Sequence, residues 1–122
     1  MFQSLFFKQP AFGLRQRTQV KTITPAELAQ RLAEANPPLV VDVRMPDEYA
    51  HDGHIAGSRL LPLPVLLQRS DELPQDQEIV FVCRSGNRSG IACEQLASLG
   101  LSNTVNMVGG MIAWKRAGLP SQ

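Results

Sequence analysis

The sequence predicts an α/β domain, a small parallel central sheet with helices on both faces. Three observations carry that reading. Residues 39–43 and 79–82 are nearly continuous apolar, β-branched runs, the pattern of strands buried on both sides in a parallel sheet. Segments of strand and helix character alternate along the chain, as layered α/β architectures require. The length of 122 residues, 43% of them hydrophobic, suits one domain that can close a core without disulfides or metal.

The elements follow in order. Residues 1–19 read as an appendage to a domain spanning 20–122. Four of the five phenylalanines, Phe2, Phe6, Phe7 and Phe12, lie in this extension, followed by Pro10, Gly13 and a basic polar stretch. A frayed tail, docking on the domain or a dimer partner, and a membrane-surface or targeting role are its three readings. Residues 20–23 alternate like a short strand. Thr24-Pro25-Ala26-Glu27 supplies the N-cap, first-turn proline and acid that open a helix, with Leu28, Leu32 and Ala35 on one face and Asn36-Pro37-Pro38 as its stop. After the strand at 39–43, residues 46–50 suggest one or two helical turns, 51–57 a glycine-containing loop, 59–61 a short strand and 65–73 a weaker helix closed by Pro74. The second buried strand, 79–82, runs directly into Cys83. A helix from Ser89 to Leu99 has Ile91, Ala92, Leu96 and Leu99 on its apolar side and Gly100 as its stop. A strand at 105–108, a turn at Gly109-Gly110 and a helix at 111–117 complete the pattern.

Bulk properties narrow the function. A net charge of +1 and 19% charged residues suggest neither disorder nor nucleic-acid binding. The charge is uneven: residues 1–21 hold four bases and no acid, and residues 22–122 eight bases and eleven acids. Two cysteines make no secreted-type disulfide framework and no zinc ligand set, so a reducing, cytoplasmic setting is expected. No apolar stretch approaches the roughly 18 residues of a membrane span, and the first eight residues read as too short for a secretory signal.

The informative feature is Cys83, at the carboxyl end of a buried strand and immediately before the loop Cys83-Arg84-Ser85-Gly86-Asn87-Arg88, which turns into a helix. Ligands of open α/β sheets sit at that edge. If successive N–H groups converge there, the sulfur lies in a nest of donors at a helix N-terminus, and Arg84 and Arg88 add positive charge. Such surroundings lower a cysteine pKa from about 8.5 to between roughly 3.5 and 7.5, giving a nucleophile that needs no partner base. Gly86 allows positive φ, and Ser85 and Ser89 offer hydroxyls. Plainer readings stand beside these: Ser89 as a helix N-cap, Asn87 as a turn residue, Arg84 as a solvated side chain and Cys83 as an inert core thiol.

In order and spacing, the chain resembles the rhodanese sulfurtransferases. The resemblance covers about residues 20–120. It is carried by Val41-Asp42-Val43-Arg44, Glu48-Tyr49, Gly53-His54-Ile55-Ala56-Gly57-Ser58, Cys83-Arg84-Ser85-Gly86-Asn87-Arg88-Ser89 and Val108-Gly109-Gly110-Met111 with Trp114. The resemblance implies a rhodanese-like parallel sheet, Cys83 as persulfide carrier, and the loop residues Arg84, Ser85, Gly86, Asn87, Arg88 and Ser89 as the substrate cradle. The six-residue loop has the length seen in the sulfurtransferase branch; related dual-specificity phosphatases carry one residue more, room for a tetrahedral oxyanion. The segment Ser58-Arg59-Leu60 departs from the family, where alanine and asparagine are commoner, so its contacts are not carried over.

The expected reaction moves sulfane sulfur from thiosulfate or a similar small anionic donor to a thiol or protein acceptor, with no metal or organic cofactor. Arg84 and Arg88 are the candidates for donor attraction and leaving-group stabilisation. Asp42, Arg44 and Glu48 are expected to form a polar support behind the site, and His54 to pin its loop. Cys93 reads as a small core residue, with a resolving cysteine as the sharper idea, and Trp114 as core or interface packing. The alternative from another class is a protein-partnered sulfur-relay or adaptor module with little small-molecule turnover; a third is a redox or arsenate reductase role, which needs a disulfide on Cys83.

Overall fold

The computed structural model describes residues 19–122, and the expectations for the Phe-rich extension fall almost wholly outside them. Strand β1 (Lys21–Ile23) leads into helix α1 (Pro25–Leu32). The entry is a reciprocal cap: Thr24 Oγ1 accepts from the Glu27 N–H at 3.2 Å, and Glu27 Oε1 accepts from the Thr24 N–H at 2.9 Å. The helix ends at Leu32, earlier than its predicted face allows, and Ala35 is exposed. Strand β2 (Leu39–Asp42), helix α2 (Pro46–His51) and strand β3 (Arg59–Leu60) follow.

The weaker helix predicted over 65–73 is two pieces. Helix α3 (Leu63–Leu66) starts earlier, with Pro62 as its N-cap and Pro64 in its first turn, and passes into a 3₁₀ segment (Leu67–Glu72) with a non-helical break at Arg69. Strand β4 (Ile79–Val82), helix α4 (Asn87–Ser98), strand β5 (Thr104–Met107) and helix α5 (Gly110–Arg116) complete the domain. Helix α4 begins two residues before the expected Ser89, and Gly110 belongs to α5 rather than to the turn before it.

All five strands are parallel, in the order β1-β5-β4-β2-β3. The two-residue period of a strand sends alternate side chains to opposite faces. Val41, Ile79, Phe81 and Cys83 pack with Leu66, Leu73, Ala92, Cys93 and Leu96 beneath α3, the 3₁₀ segment and α4. On the other face Val40, Val80, Val82 and Val105 pack with Leu28, Met111 and Trp114 of α1 and α5. The expected helices on both faces are thus present, and the central strand β4 is buried along its whole length. Ile91 and Leu99, predicted on the apolar side of α4, are instead 44% and 55% exposed; Cys93 occupies the core-facing position between them.

Register sets up the site. Asp42 pairs with Val82, and Phe81 with Asn106, so β2, β4 and β5 end at one edge of the sheet. The segments leaving them, residues 43–45, 83–86 and 108–109, leave from that same edge. Among the described residues, no helix is long and apolar enough to cross a membrane.

Candidate active site

Strand alternation turns the Cys83 side chain toward α4, where it is 1% exposed. Gly86 then reverses the chain with φ at +103°, a left-handed conformation that glycine adopts without strain, and caps α4. This reversal brings main-chain donors onto the sulfur. The Gly86 N–H donates to Cys83 Sγ at 3.1 Å and the Ser89 N–H at 3.4 Å, with the Ser89 hydroxyl oxygen 3.3 Å from the sulfur. Burial is the largest single influence on the Cys83 thiol and pushes its pKa up; the Ser89 hydroxyl and the amides of Ser89, Gly86 and Ser85 together outweigh it, leaving the thiol below its ordinary value. Hydrogen bonds therefore rank ahead of the arginine charges that the sequence reading put beside them.

Ser89 is not the N-cap. Its hydroxyl lies between two partners, Cys83 Sγ and Asn106 Oδ1, and donates to the latter at 2.6 Å. A single hydroxyl proton serves one acceptor at a time. With a neutral thiol, S–H can donate to Ser89 while Ser89 donates to Asn106; with a thiolate, the hydroxyl can turn to the sulfur. Asn106 also donates to the Gly86 carbonyl at 3.2 Å, so one amide braces both ends of the cradle. Sequence reasoning missed Asn106; its only signal was a polar side chain inside an apolar strand.

The loop is clasped from behind by α5. The Met111 N–H donates to the Cys83 carbonyl at 2.8 Å and the Ile112 N–H to the Arg84 carbonyl at 3.0 Å. Contact is so close at Gly110 that a Cβ there would stand 2.4 Å from the Arg84 carbonyl oxygen. The requirement for glycine, with φ at +58°, is a requirement of the backing of the Cys83 loop.

The other predicted site residues fall into separate groups. Arg84, Ser85 and Asn87 are exposed. Arg88 does not stand free: its two terminal nitrogens donate to the two Glu48 oxygens, each at 2.8 Å, and this pairing holds the Glu48 carboxyl down at about 2 despite partial burial. Asp42, Arg44 and Glu48 therefore do not form one network. Asp42 and Arg44 make a buried two-pronged pair, Arg44 Nε to Oδ1 at 2.9 Å and Nη2 to Oδ2 at 2.8 Å, and Nη2 also reaches the Gly53 carbonyl at 2.8 Å. That pair anchors the turn carrying His54. His54 Nδ1 donates to the Tyr49 carbonyl at 2.8 Å, its ring stacks on Tyr49 at 3.8 Å, and its main chain exchanges two hydrogen bonds with Gln122. Trp114 is buried, with Nε1 donating to the Pro120 carbonyl at 2.9 Å.

Both cysteines are free. They differ in kind: burial pushes the Cys93 thiol up to about 12, opposed by a hydrogen bond with Thr104, so Cys93 is a packed thiol that holds its proton. Among the described residues, no group of three or more His, Cys, Asp or Glu side chains could hold a metal ion.

Known proteins share this sequence pattern and fold. The chain is 43% identical over 101 residues to a sulfurtransferase of Allochromatium vinosum, covering 83% of this chain and 94% of that protein. A rhodanese-related protein from Thermoplasma volcanium superposes with a TM-score of 0.76 at 34% identity, over 84% of this chain and 97% of that one. A rhodanese-like domain protein from Staphylococcus aureus gives 0.75 at 34% identity, over 84% and 99%. The rhodanese-like domain pattern matches residues 24–117, and with it the parallel sheet and the cysteine loop at its carboxyl edge make this chain a member of the rhodanese-like domain family.

Proposed function

We propose that the protein is a sulfurtransferase that moves sulfane sulfur from thiosulfate, or a similar small anionic donor, to a thiophilic acceptor through a persulfide on Cys83. The carrying observation is the convergence of the Gly86 and Ser89 amides on Cys83 Sγ. A charged sulfur in a nearly enclosed position is held there by fixed dipoles rather than by water. The sulfurtransferase of A. vinosum supports the class of reaction.

The chemistry has two halves. The Cys83 thiolate attacks the outer sulfur of thiosulfate; a new S–S bond forms, the donor's S–S bond breaks, and its electron pair leaves on sulfite. Cys83 then carries the extra sulfur in the cradle of Arg84, Ser85, Gly86, Asn87, Arg88 and Ser89. A second nucleophile, cyanide or a thiolate, attacks the outer sulfur and returns the electron pair to Cys83 Sγ. Arg84, exposed and without an acidic partner among the described residues, attracts the donor and stabilises departing sulfite. Arg88, fixed by Glu48, sets the shape of the loop and contributes its field from that position. The expected reading is thiocyanate formation that needs both thiosulfate and cyanide and is lost in Cys83→Ser; thiocyanate formation that persists in that variant would remove Cys83 from the reaction.

A further inference from the structure

The arginines of the described residues divide into two sets. Arg31 pairs with Glu78, Arg44 with Asp42, Arg59 and Arg69 with Glu72, and Arg88 with Glu48. Arg84 and Arg116 form no ion pair, and both line the same cleft, which measures about 580 Å³ and also contains Lys115. All three side chains are exposed. Lys115 donates to a neutral acceptor, the Asp52 carbonyl, and makes no ion pair among the described residues. The Asp52 carboxylate is the one acid in the lining; Arg44, which also lines the cleft, is already neutralised by Asp42. Among the described residues, three cations outside the ion pairs thus gather at one cleft of a domain whose residues 22–122 hold more acids than bases.

Size and lining point away from a small inorganic donor. Thiosulfate has five heavy atoms, whereas clefts of about 300–1,000 Å³ hold ligands of dozens of atoms. Met111 and Ile112 add apolar wall beside the charges, and Ile112, Lys115 and Arg116 follow the i, i+3, i+4 spacing of one helix face. The fitting occupant carries carboxylates and some aliphatic surface along a chain. The location matters as much. Met111 and Ile112 are the residues whose amides clasp the Cys83 and Arg84 carbonyls, so the cleft's wall is the back of the catalytic loop.

We propose that this cleft docks an acidic polypeptide segment of a sulfur-accepting protein, a partner assignment that rests on the persulfide reading of Cys83. Docking there holds the partner against the loop that carries the sulfur. The partner's thiolate then attacks the outer sulfur of the Cys83 persulfide: its own S–S bond forms, the bond to Cys83 Sγ breaks, and Cys83 leaves as the thiolate that started the cycle, with no net oxidation.

The test uses the full chain and three labelled probes: a glutamate-rich peptide, the same peptide with glutamine at every glutamate, and a single-stranded oligonucleotide of similar charge. Binding is read by fluorescence anisotropy, without sulfur loading. The glutamate-rich peptide is expected to bind about tenfold more tightly than the glutamine peptide at low ionic strength and to lose that preference at high salt. Arg116→Glu is expected to abolish the preference, and Lys21→Glu, an equal change of charge at an exposed position outside the cleft, to retain it. Equal binding of the two peptides, survival of the preference in Arg116→Glu, its loss in Lys21→Glu, or equal binding of the oligonucleotide would each overturn the proposal. Intact mass after thiosulfate treatment, read in parallel, separates the two ideas. A protein that binds the acidic peptide but gains no sulfur keeps the docking cleft and loses the sulfur chemistry; one that gains sulfur without the binding preference does the reverse.

Discussion

The Ser89 hydroxyl oxygen lies 3.3 Å from Cys83 Sγ while its proton is offered to Asn106, 2.6 Å away. When the sulfur is a thiolate the hydroxyl can turn to it and add a side-chain donor to its amides, and this hydrogen bond is the strongest influence lowering the thiol. Ser89→Ala removes the hydroxyl and leaves the amides. The Cys83 pKa is expected to rise, and alkylation by iodoacetamide near neutral pH to slow roughly tenfold, the scale of one hydrogen bond to a charged group. Asn106→Ala is expected to act in the same direction through the loss of its hold on Gly86. The pH profile of alkylation checks both.

Gly110 touches the backbone of Cys83 and Arg84 where a methyl group has no room. Gly110→Ala is expected to destabilise the domain by about 2 kcal/mol or more, since both the positive φ and the contact oppose the substitution. Because the displaced atoms belong to the loop, alkylation of Cys83 in the folded variant is expected to slow as well. Urea unfolding and alkylation kinetics on the same preparation give the two readings.

The Glu48–Arg88 pair makes a prediction at acid pH. Its carboxyl titrates lower in the folded chain, at about 2, than the ordinary 4.5 of the unfolded chain. Its stabilising effect is therefore complete above about pH 4.5 and is lost as pH falls toward 2. Glu48→Gln is expected to flatten that part of the stability curve. The magnitude is modest, about 1 kcal/mol or less, because the side chains are 35% and 25% exposed and solvent screens them. Urea midpoints at a mildly acidic and a strongly acidic pH provide the measurement.

Cys93 predicts the opposite limb. Its thiol is pushed up to about 12 when folded, from 9.0. Stability linked to it is present below pH 9 and lost as pH rises toward 12, because only the unfolded chain ionises in that window. Cys93→Ala is expected to cost about 1–2 kcal/mol at neutral pH through lost packing, yet to show a shallower alkaline decline than the parent chain. Urea midpoints at neutral and alkaline pH decide it.

Much of this could be read in the residues. The β-branched runs announced the buried strands, and a cysteine ending one of them, ahead of a glycine-containing polar loop, announced the site. What escaped was contact between segments distant in sequence. Asn106 is 17 residues from Ser89, and Glu48 is 40 from Arg88; nothing in local spacing reveals that parallel register brings them together. Local pattern also misjudged Ile91 and Leu99, since an apolar residue on a short helix signals a core-facing position only when tertiary packing covers it. The 3₁₀ segment escaped for a related reason: its sequence suits an α-helix, and the break at Arg69 belongs to the path between Leu66 and Leu73, both buried.

Whether Cys83 carries sulfur is decided by the mass of the protein after brief exposure to thiosulfate. The expected result is a gain of one sulfur atom confined to the peptide containing Cys83, absent in Cys83→Ser, retained in Cys93→Ser and discharged by cyanide. No gain in mass, a gain located on Cys93, or a Cys83–Cys93 disulfide in its place would contradict the account.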